Sequence, residues 1–476
     1  MAEIRVFHTH IEVYPYTEGD STKIENMFSY YDKQKRKRIP LGYYILNDTL
    51  YLPRGTSSIV LSDEFRSSPL IMSQPDKFEK IKYGEAKFAP KSIMQEHALA
   101  FLCSKDQFSY TSRYSQFGLN LQTGDGKTYS AISAILYYKL KSIIITHQEK
   151  IKVQWIDSFN NMTTFPMENL VNITGTEVMD EIMADKVEGE IYLVNHQTIE
   201  AYARANGWEE VRRFFIKIKC GIKVVDEAHK FFEDTMMIDN FSNCYKSFYL
   251  TATYGRSSTS NSIYFRAFSS LVRFGEETLS YKEKRKHTNF VITYFTSVPE
   301  LGILPRLETY YGFSEYRYID YELNDANNAI LKALKTIINK TSHMEGKTII
   351  FSPKIDSVEA IANYVKTITD KKVGILHSKS EEDTKEVSEY DIISTTVKSA
   401  GEGVDIKGLR IIICLEPIAS PNLADQVRGR LREYSKDEDT FMFYLADTTV
   451  ETTVRYVNYI LPVMKRTCKE IMTIRL

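Results

Sequence analysis

The chain has 476 residues, 43% of them hydrophobic, with 61 lysines and arginines against 62 aspartates and glutamates. At about 150 residues per domain this length predicts roughly three domains, and the balanced charge excludes a global basic field, so contact with a polyanion has to come from local clusters. The five cysteines (Cys103, Cys220, Cys244, Cys414, Cys468) are scattered without ligand spacing and predict neither a disulfide framework nor a zinc site. Strand-sized apolar runs and the charged start MAEIRVFHTH predict no membrane span and no signal peptide, hence a soluble cytoplasmic protein.

Residues 1–85 read as a small α+β domain. IRVFHTH and IEVYPY alternate as strands, Ile24, Met27, Phe28 and Tyr31 recur at helical spacing, and GYYILNDTLYLPRG gives two strand-like runs joined at Asn47-Asp48. Between them DKQKRKRIP gathers Lys33, Lys35, Arg36, Lys37 and Arg38 beside Tyr30, Tyr31, Tyr43 and Tyr44. Clustered cations neutralise phosphates, so this run predicts contact with the backbone of a nucleic-acid duplex or junction. A solvated basic hairpin tip is the alternative. Pro75-Asp76 followed by Glu85-Ala86-Lys87 has the loose spacing of a metal-dependent nuclease, in a segment short for such a core.

Further along, β-rich runs alternate with helical patterns: SIIIT (142–146), EIYLV (190–194), IKVVDE (222–227), SFYLT (247–251), KTIIFS (347–352), KVGIL (372–376), YDIIST (390–395), LRIIICL (409–415) and TFMFYL (440–445). Such alternation predicts parallel sheets covered by helices on both faces. We expect one sheet in 86–285 and another in 286–476, with loop-like YGRSSTSNS (254–262) and the basic connector YKEKRKHTN (281–289) between them. KEKRKH within that connector is either a second backbone contact or a solvated linker.

LQTGDGKTYS (121–130) places Gly124 and Gly126 ahead of Lys127 and Thr128 at the start of a helical pattern. Glycines let backbone N–H groups turn onto phosphate oxygens, and a helix N-terminus adds its positive dipole end. Lys127 then reaches the β- and γ-phosphates and Thr128 holds Mg²⁺. Leu121 stands where the full GxxxxGK[ST] pattern has its first glycine. About a hundred residues later IKVVDEAHKFF sets Asp226 and Glu227 just past a buried strand. Phosphoryl hydrolysis needs one carboxylate for the metal and one for the attacking water, and adjacent acids divide those roles as Asp226 and Glu227.

These motifs and their order resemble the superfamily two helicases. QTGDGKT is similar to that family's phosphate loop, VVDEAH to motif II, LTAT (250–253) to motif III, KVQWIDSF to motif Ia and VNHQT (194–198) to Ib; TTVKSAGEGVDI (395–406) resembles motif V and ADQVRGRL (424–431) motif VI. The resemblance covers residues 90–450. It implies an α/β fold of two RecA-like parallel-sheet domains in tandem behind the small α+β domain, with ATP and Mg²⁺ between them. It implies ATP contacts from Gln95 (in KSIMQ), Thr123, Gly124, Asp125, Gly126, Lys127, Thr128, Gly403 and Asp405. Coupling falls to His229, Thr251 and Thr253, and catalysis to Lys127, Asp226, Glu227, Gln426 and Arg430.

In this family an arginine from one domain reaches the γ-phosphate held by the other, so that hydrolysis moves the domains. Arg430 occupies that position; a second arginine is either Arg428 or Arg432, because Glu433 stands at its usual place. Nucleic-acid backbone contacts are implied for His147, Gln197, Thr198, Ser352, Lys354 and Thr396, alongside Lys35, Arg36, Lys37 and Arg38 in the first domain. The N-terminal segment also resembles the small domain of UvsW-like phage helicases. That implies branched DNA as partner, branch migration or fork reversal as activity, and a phage protein in a host cytoplasm. An RNA helicase and an ATP-gated DNA-binding switch are the alternatives.

Overall fold

Alternation of apolar and polar residues gives the first strands one buried face. β1 (Glu3–Val6) buries Ile4 and Val6, and β2 (His10–Tyr14) buries Ile11 and Val13. β3 (Ser29–Asp32) and β4 (Lys37–Pro40) pair as a separate antiparallel ribbon. β5 (Tyr44–Leu46), β6 (Thr49–Pro53) and β7 (Leu70–Met72) complete a five-stranded sheet of order β5-β6-β2-β1-β7. Asn47 and Asp48 both take left-handed angles, φ 48° and 54°, and close the β5–β6 hairpin at the expected place. Ser21 caps α1 (Thr22–Met27) by accepting the Ile24 N–H at 3.3 Å, and α2 (Ser58–Glu64) follows β6. Tyr31, read with the helical face, instead pairs with Arg38 across the ribbon, because strand pairing overrides helical spacing.

This is a computed structural model that describes every residue except 1, 33–35, 66–69, 122–124, 229–230, 252–262, 264–265, 276–285, 299–301, 303, 310–311, 325–327, 377–388, 398, 400–405, 433 and 436–437. The chain divides into two units, Met1–Tyr281 and Lys282–Leu476.

In the first unit β8 (Gln116–Asn120), β9 (Ser142–Thr146), β10 (Leu170–Ile173), β11 (Ile191–Asn195), β12 (Ile222–Val225), β13 (Lys246–Thr251) and β14 (Val272–Phe274) form a seven-stranded parallel sheet. Its order is β10-β11-β9-β12-β13-β8-β14. Apolar residues of both parities on β9 are buried, Ile144 on one face and Ile143 with Ile145 on the other. The Ile144 face is covered by α3 (Ile93–Leu102), α4 (Lys127–Tyr138) and α5 (Glu149–Met162). The opposite face carries α6 (Thr176–Met183), α7 (His196–Asn206), α8 (Trp208–Ile218) and α9 (Phe232–Asn240).

The N-terminal sheet shares that second core. Tyr51 of β6 packs at a tilt against Phe241 with ring centroids 5.0 Å apart, and Trp208 of α8 stacks on the same ring at 5.0 Å. Polar groups fasten the seam: the Ser115 hydroxyl donates to the His8 carbonyl at 2.8 Å, and the His8 N–H to Asn243 Oδ1 at 3.0 Å. Beneath it lies an ion pair between Lys223 and Asp239, both inaccessible, with the Tyr249 hydroxyl donating to Asp239 at 2.7 Å. Residues 75–87 run along this unit without a nuclease core. Asp76 holds Arg212 of α8 through two contacts of 2.9 and 3.0 Å, whereas Lys87 Nζ donates to the Asn160 carbonyl of α5 at 2.9 Å. The acid and the lysine are thus committed to different helices.

In the second unit β15 (Thr288–Phe295) is followed by a short pair, β16 (Glu308–Thr309) and β17 (Gly312–Phe313). Then come β18 (Lys347–Phe351), β19 (Val373–Leu376), β20 (Ile392–Thr395), β21 (Leu409–Cys414), β22 (Thr440–Asp447) and β23 (Glu470–Arg475). Seven of these make a parallel sheet of order β19-β20-β18-β21-β22-β15-β23. Numbered from its own first strand, each large sheet reads 3-4-2-5-6-1-7. β15 begins inside the stretch expected to be connector: Thr288 and Asn289 are 1% and 4% exposed in the sheet. Among the described residues no helix is long and apolar enough to cross a membrane.

Candidate functional site

β8 ends at Asn120, and Asp125 and Gly126 lead into α4, which starts at Lys127. Gly126 takes φ +92°, a backbone conformation that favours glycine, and the Gln95 side chain packs over it, with Nε2 2.3 Å from where a Cβ would stand. Gln95 itself stands in the first turn of α3, where Ser92 Oγ accepts its N–H at 3.2 Å and its Oε1 accepts the Lys91 N–H at 2.8 Å. The structure thereby brings Gln95 onto the turn that precedes Lys127. Thr123 and Gly124 lie outside the described residues.

Lys127 is 10% exposed; its Nζ donates to the Leu121 carbonyl at 3.0 Å and lies 3.8 Å from Oε1 of Glu227. Thr128 follows, half-buried, in the same first turn. Asp226 and Glu227 come directly after β12, and Glu227 adopts φ +49°, a left-handed angle that costs a non-glycine residue roughly 1 kcal/mol or more. Asp226 accepts from its neighbour's N–H at 3.0 Å and from the indole N–H of Trp155 at 3.0 Å. Burial, with Glu227 adding to it, raises the Asp226 carboxyl above the usual carboxylate range, opposed by the Trp155 hydrogen bond and by Lys127. Thr251, fully buried at the end of β13, closes the group: its carbonyl accepts the Leu121 N–H and the Leu250 carbonyl the Ala228 N–H, both at 3.1 Å. His229 and Thr253 lie outside the described residues.

Behind these strand ends the expected backbone-contact residues of this unit meet. Gln197 Nε2 donates to the His147 carbonyl at 3.4 Å, and Thr198 sits one residue further along α7. The His147 ring is 4% exposed and stacks on Phe231 at 5.2 Å, which turns it away from solvent. Three neighbours were not singled out from sequence: His196 and Glu200, one turn apart on α7, and Asp234 on α9, with ligand atoms within 4.8 Å of one another. Burial lowers His196, and burial together with Asp234 pushes Glu200 up to about 7. The HxxxE spacing is the sequence signal that could have found the pair. On the N-terminal ribbon Arg36, Lys37 and Arg38 are exposed, as is Tyr31 beside them; Lys35 lies outside the described residues.

In the second unit Ser420 caps the helix Pro421–Arg428, which carries Gln426 and delivers the chain to Arg430, both half-buried. Arg428 is 6% exposed and its Nε donates to Asp425 at 2.8 Å, whereas Arg432 is exposed. Ser352 is fully buried with its hydroxyl 2.6 Å from that of Ser357, and Thr396 donates to Ser399 Oγ at 2.9 Å. Lys354 pairs with Asp320. Gly403 and Asp405 lie outside the described residues.

Residues 90–256 match the family described as type III restriction enzyme, res subunit, and residues 329–433 match the helicase conserved C-terminal domain. Among solved structures, the chain is similar to a fragment of the HsdR subunit of a type I restriction enzyme from Vibrio vulnificus YJ016. The two share 16% identity over 80% of this chain and 68% of that one, with a TM-score of 0.53. Dbp5 of S. cerevisiae is similar at 14% identity over 82% of this chain and 90% of that one, TM-score 0.52, and these two likenesses show a common fold. T4 UvsW aligns over 99% of each chain at 15% identity with a TM-score of 0.37. No curated protein sequence matches the chain.

Proposed function

The chain belongs to the superfamily two helicases, nucleic-acid-binding ATPases, and we propose that it is an ATP-dependent DNA helicase or translocase that unwinds or branch-migrates forks and junctions. The observation that carries the nucleotide half of this reading is the approach of Lys127 to Glu227 at 3.8 Å, beside Asp226, at the mouth of α4. Two carboxylates and one ammonium leave this group short of positive charge, which suits a divalent cation. On our reading Thr128 and Asp226 hold Mg²⁺, which when bound neutralises charge on the β- and γ-phosphates. Lys127 exchanges the Leu121 carbonyl for phosphate oxygens, with Thr123, Gly124, Asp125 and Gly126 lining the same turn. Glu227 orients the attacking water and takes its proton. Gln95 reads the base, and Gly403, Asp405, Gln426 and Arg430 are assigned to nucleotide binding and catalysis as well. His229, Thr251 and Thr253 couple the site to the track.

DNA as the track is supported by the exposed Arg36, Lys37 and Arg38 on the β3–β4 ribbon, within residues 1–85, which we assign as a DNA-binding domain ahead of motor domains at 86–285 and 286–476. His147, Gln197, Thr198, Ser352, Lys354 and Thr396 mark the turns along which the strand runs, held by its phosphates without base readout. The deciding experiment is one ATPase and unwinding panel of forks, four-way junctions, linear duplex and RNA of matched length. Strongest stimulation by forks or junctions, with strand displacement over many turnovers, supports the proposal. Equal or greater stimulation by RNA makes the chain an RNA helicase; tight binding without displacement makes it an ATP-gated switch.

A further inference from the structure

On the α7–α9 side of the first unit, His196, Glu200 and Asp234 gather ligand atoms that all lie within 4.8 Å of one another. His196 is 5% exposed, and its Nδ1 stands 3.3 Å from the carbonyl of Thr146. A carbonyl only accepts, so Nδ1 carries the proton and the ring is oriented with Nε2 toward Asp234, whose Oδ2 is 3.1 Å away. Nε2 of the neutral ring is a lone pair, and it faces carboxyl oxygens from two helices. Three electron-rich atoms at this separation repel one another unless a proton or a metal cation lies among them. A ring N–H fixed on a backbone carbonyl is also the arrangement by which proteins orient a metal-ligating imidazole. Phe231 covers the ring at 4.2 Å, while the Asp234 side chain is 29% exposed and leaves a way in from solvent.

We propose that His196, Glu200 and Asp234 bind one divalent first-row cation of the Zn²⁺ class, with water completing its shell. One imidazole nitrogen with two carboxylate oxygens suits Zn²⁺. His196 and Glu200 present from successive turns of α7, and Asp234 comes from α9, so the cation pins these helices together. α7 starts at the turn carrying Gln197 and Thr198, and α9 follows the strand end carrying Asp226 and Glu227. The inference does not depend on which nucleic acid the chain acts on.

The test is calorimetric titration of chelator-treated, nucleotide-free full-length protein with ZnCl₂, with CoCl₂ absorption as a spectroscopic companion. Wild type and Asp226→Asn should each bind one equivalent and gain thermal stability on binding. Glu200→Gln and Asp234→Asn should bind it at least about tenfold more weakly, with the far-ultraviolet spectrum of wild type confirming that they fold. No binding by wild type, or unchanged binding by Glu200→Gln and Asp234→Asn, overturns the proposal and leaves a proton shared by the carboxyls. Loss of the equivalent in Asp226→Asn alone would overturn it in favour of the nucleotide pocket.

Discussion

The indole N–H of Trp155 donates to Oδ2 of Asp226 at 3.0 Å, tying the α5 helix to the carboxylate that we assign to Mg²⁺. A hydrogen bond to a charged group contributes about 1.5–3 kcal/mol. Trp155→Phe keeps the apolar packing of a residue 1% exposed and removes the donor. We expect the Mg²⁺ concentration for half-maximal ATPase to rise and kcat/KM to fall on the order of tenfold. A Mg²⁺ titration of the steady-state rate reads both, and an unchanged midpoint would show that Trp155 only packs.

Glu227 combines a proposed chemical role with a left-handed backbone. Glu227→Gln keeps the strain and removes the base, so stability should hold while hydrolysis stops and ATP and DNA remain bound together. Glu227→Gly should also stop hydrolysis, yet raise unfolding stability by roughly 0.5–1 kcal/mol as the φ +49° strain is relieved. Denaturant midpoints for the two variants separate the backbone effect from the chemistry. Lys127→Ala should lower kcat by at least about 10² to 10³ without loss of folding; normal turnover in it would remove the phosphate-loop assignment.

The second arginine of the helicase finger was open between Arg428 and Arg432, and their surroundings differ. Arg428 is buried against Asp425, so Arg428→Ala should cost about 2–3 kcal/mol of stability by leaving that carboxylate without its partner. Arg432 is exposed, and Arg432→Ala should lower ATPase while leaving the melting temperature where it was. Arg430→Ala should be the most severe, on the order of 10³-fold in rate. Thermal melts run beside ATPase assays decide the assignment; a rate defect in Arg428→Ala at full stability would reverse it.

Glu79 joins Lys141 and Lys219 through contacts of 2.7 and 2.6 Å, and these two ammonium groups hold its carboxyl down to about 2. A depressed acid contributes stability that is complete above its unfolded value near 4.5 and is lost as pH falls toward about 2. Glu79→Gln should therefore melt below wild type at neutral pH, with the gap closing through that acidic window. The carboxylate is 42% exposed, so solvent screening keeps the gap small. A gap independent of pH would assign the effect to packing.

Replacing Lys35, Arg36, Lys37 and Arg38 by glutamine should weaken junction binding and make its salt dependence shallower, by roughly 0.9 in log–log slope for each phosphate that is no longer neutralised. DNA-free ATPase should be unchanged. Equal junction affinity before and after would leave these residues a role in solubility alone.

Much of the fold was legible because buried parallel strands are continuous apolar runs: SIIIT and LRIIICL fall on β9 and β21 within a residue. β10, β14 and β23 lie at sheet edges, where half-exposed residues blur the pattern, and the interior strands β8 and β15 are likewise not among the predicted runs. Lys127 and Glu227 were found from local chemistry, because glycine-led phosphate turns and paired acids leave a signature in adjacent residues. Trp155's partner, and the meeting of Asp234 with His196 and Glu200, depend on tertiary contacts between residues 71 and 38 positions apart or nearly so, which no local pattern encodes. Cysteine spacing bears only on thiolate sites, and a histidine with carboxylates from two helices leaves no comparable local signature.

The shared 3-4-2-5-6-1-7 winding makes the turn after β15 the counterpart of the turn after β8. There the second unit has Thr296, Ser297 and Val298 in place of glycines and lysine, and Ser297 offers both its N–H, at 3.2 Å, and its hydroxyl to the inaccessible carboxylate of Asp447. A built-in anion sits on the very groups a phosphate would need. The shared winding is therefore kept in both units, whereas the glycine-lysine turn after β8 has no counterpart in Thr296, Ser297 and Val298.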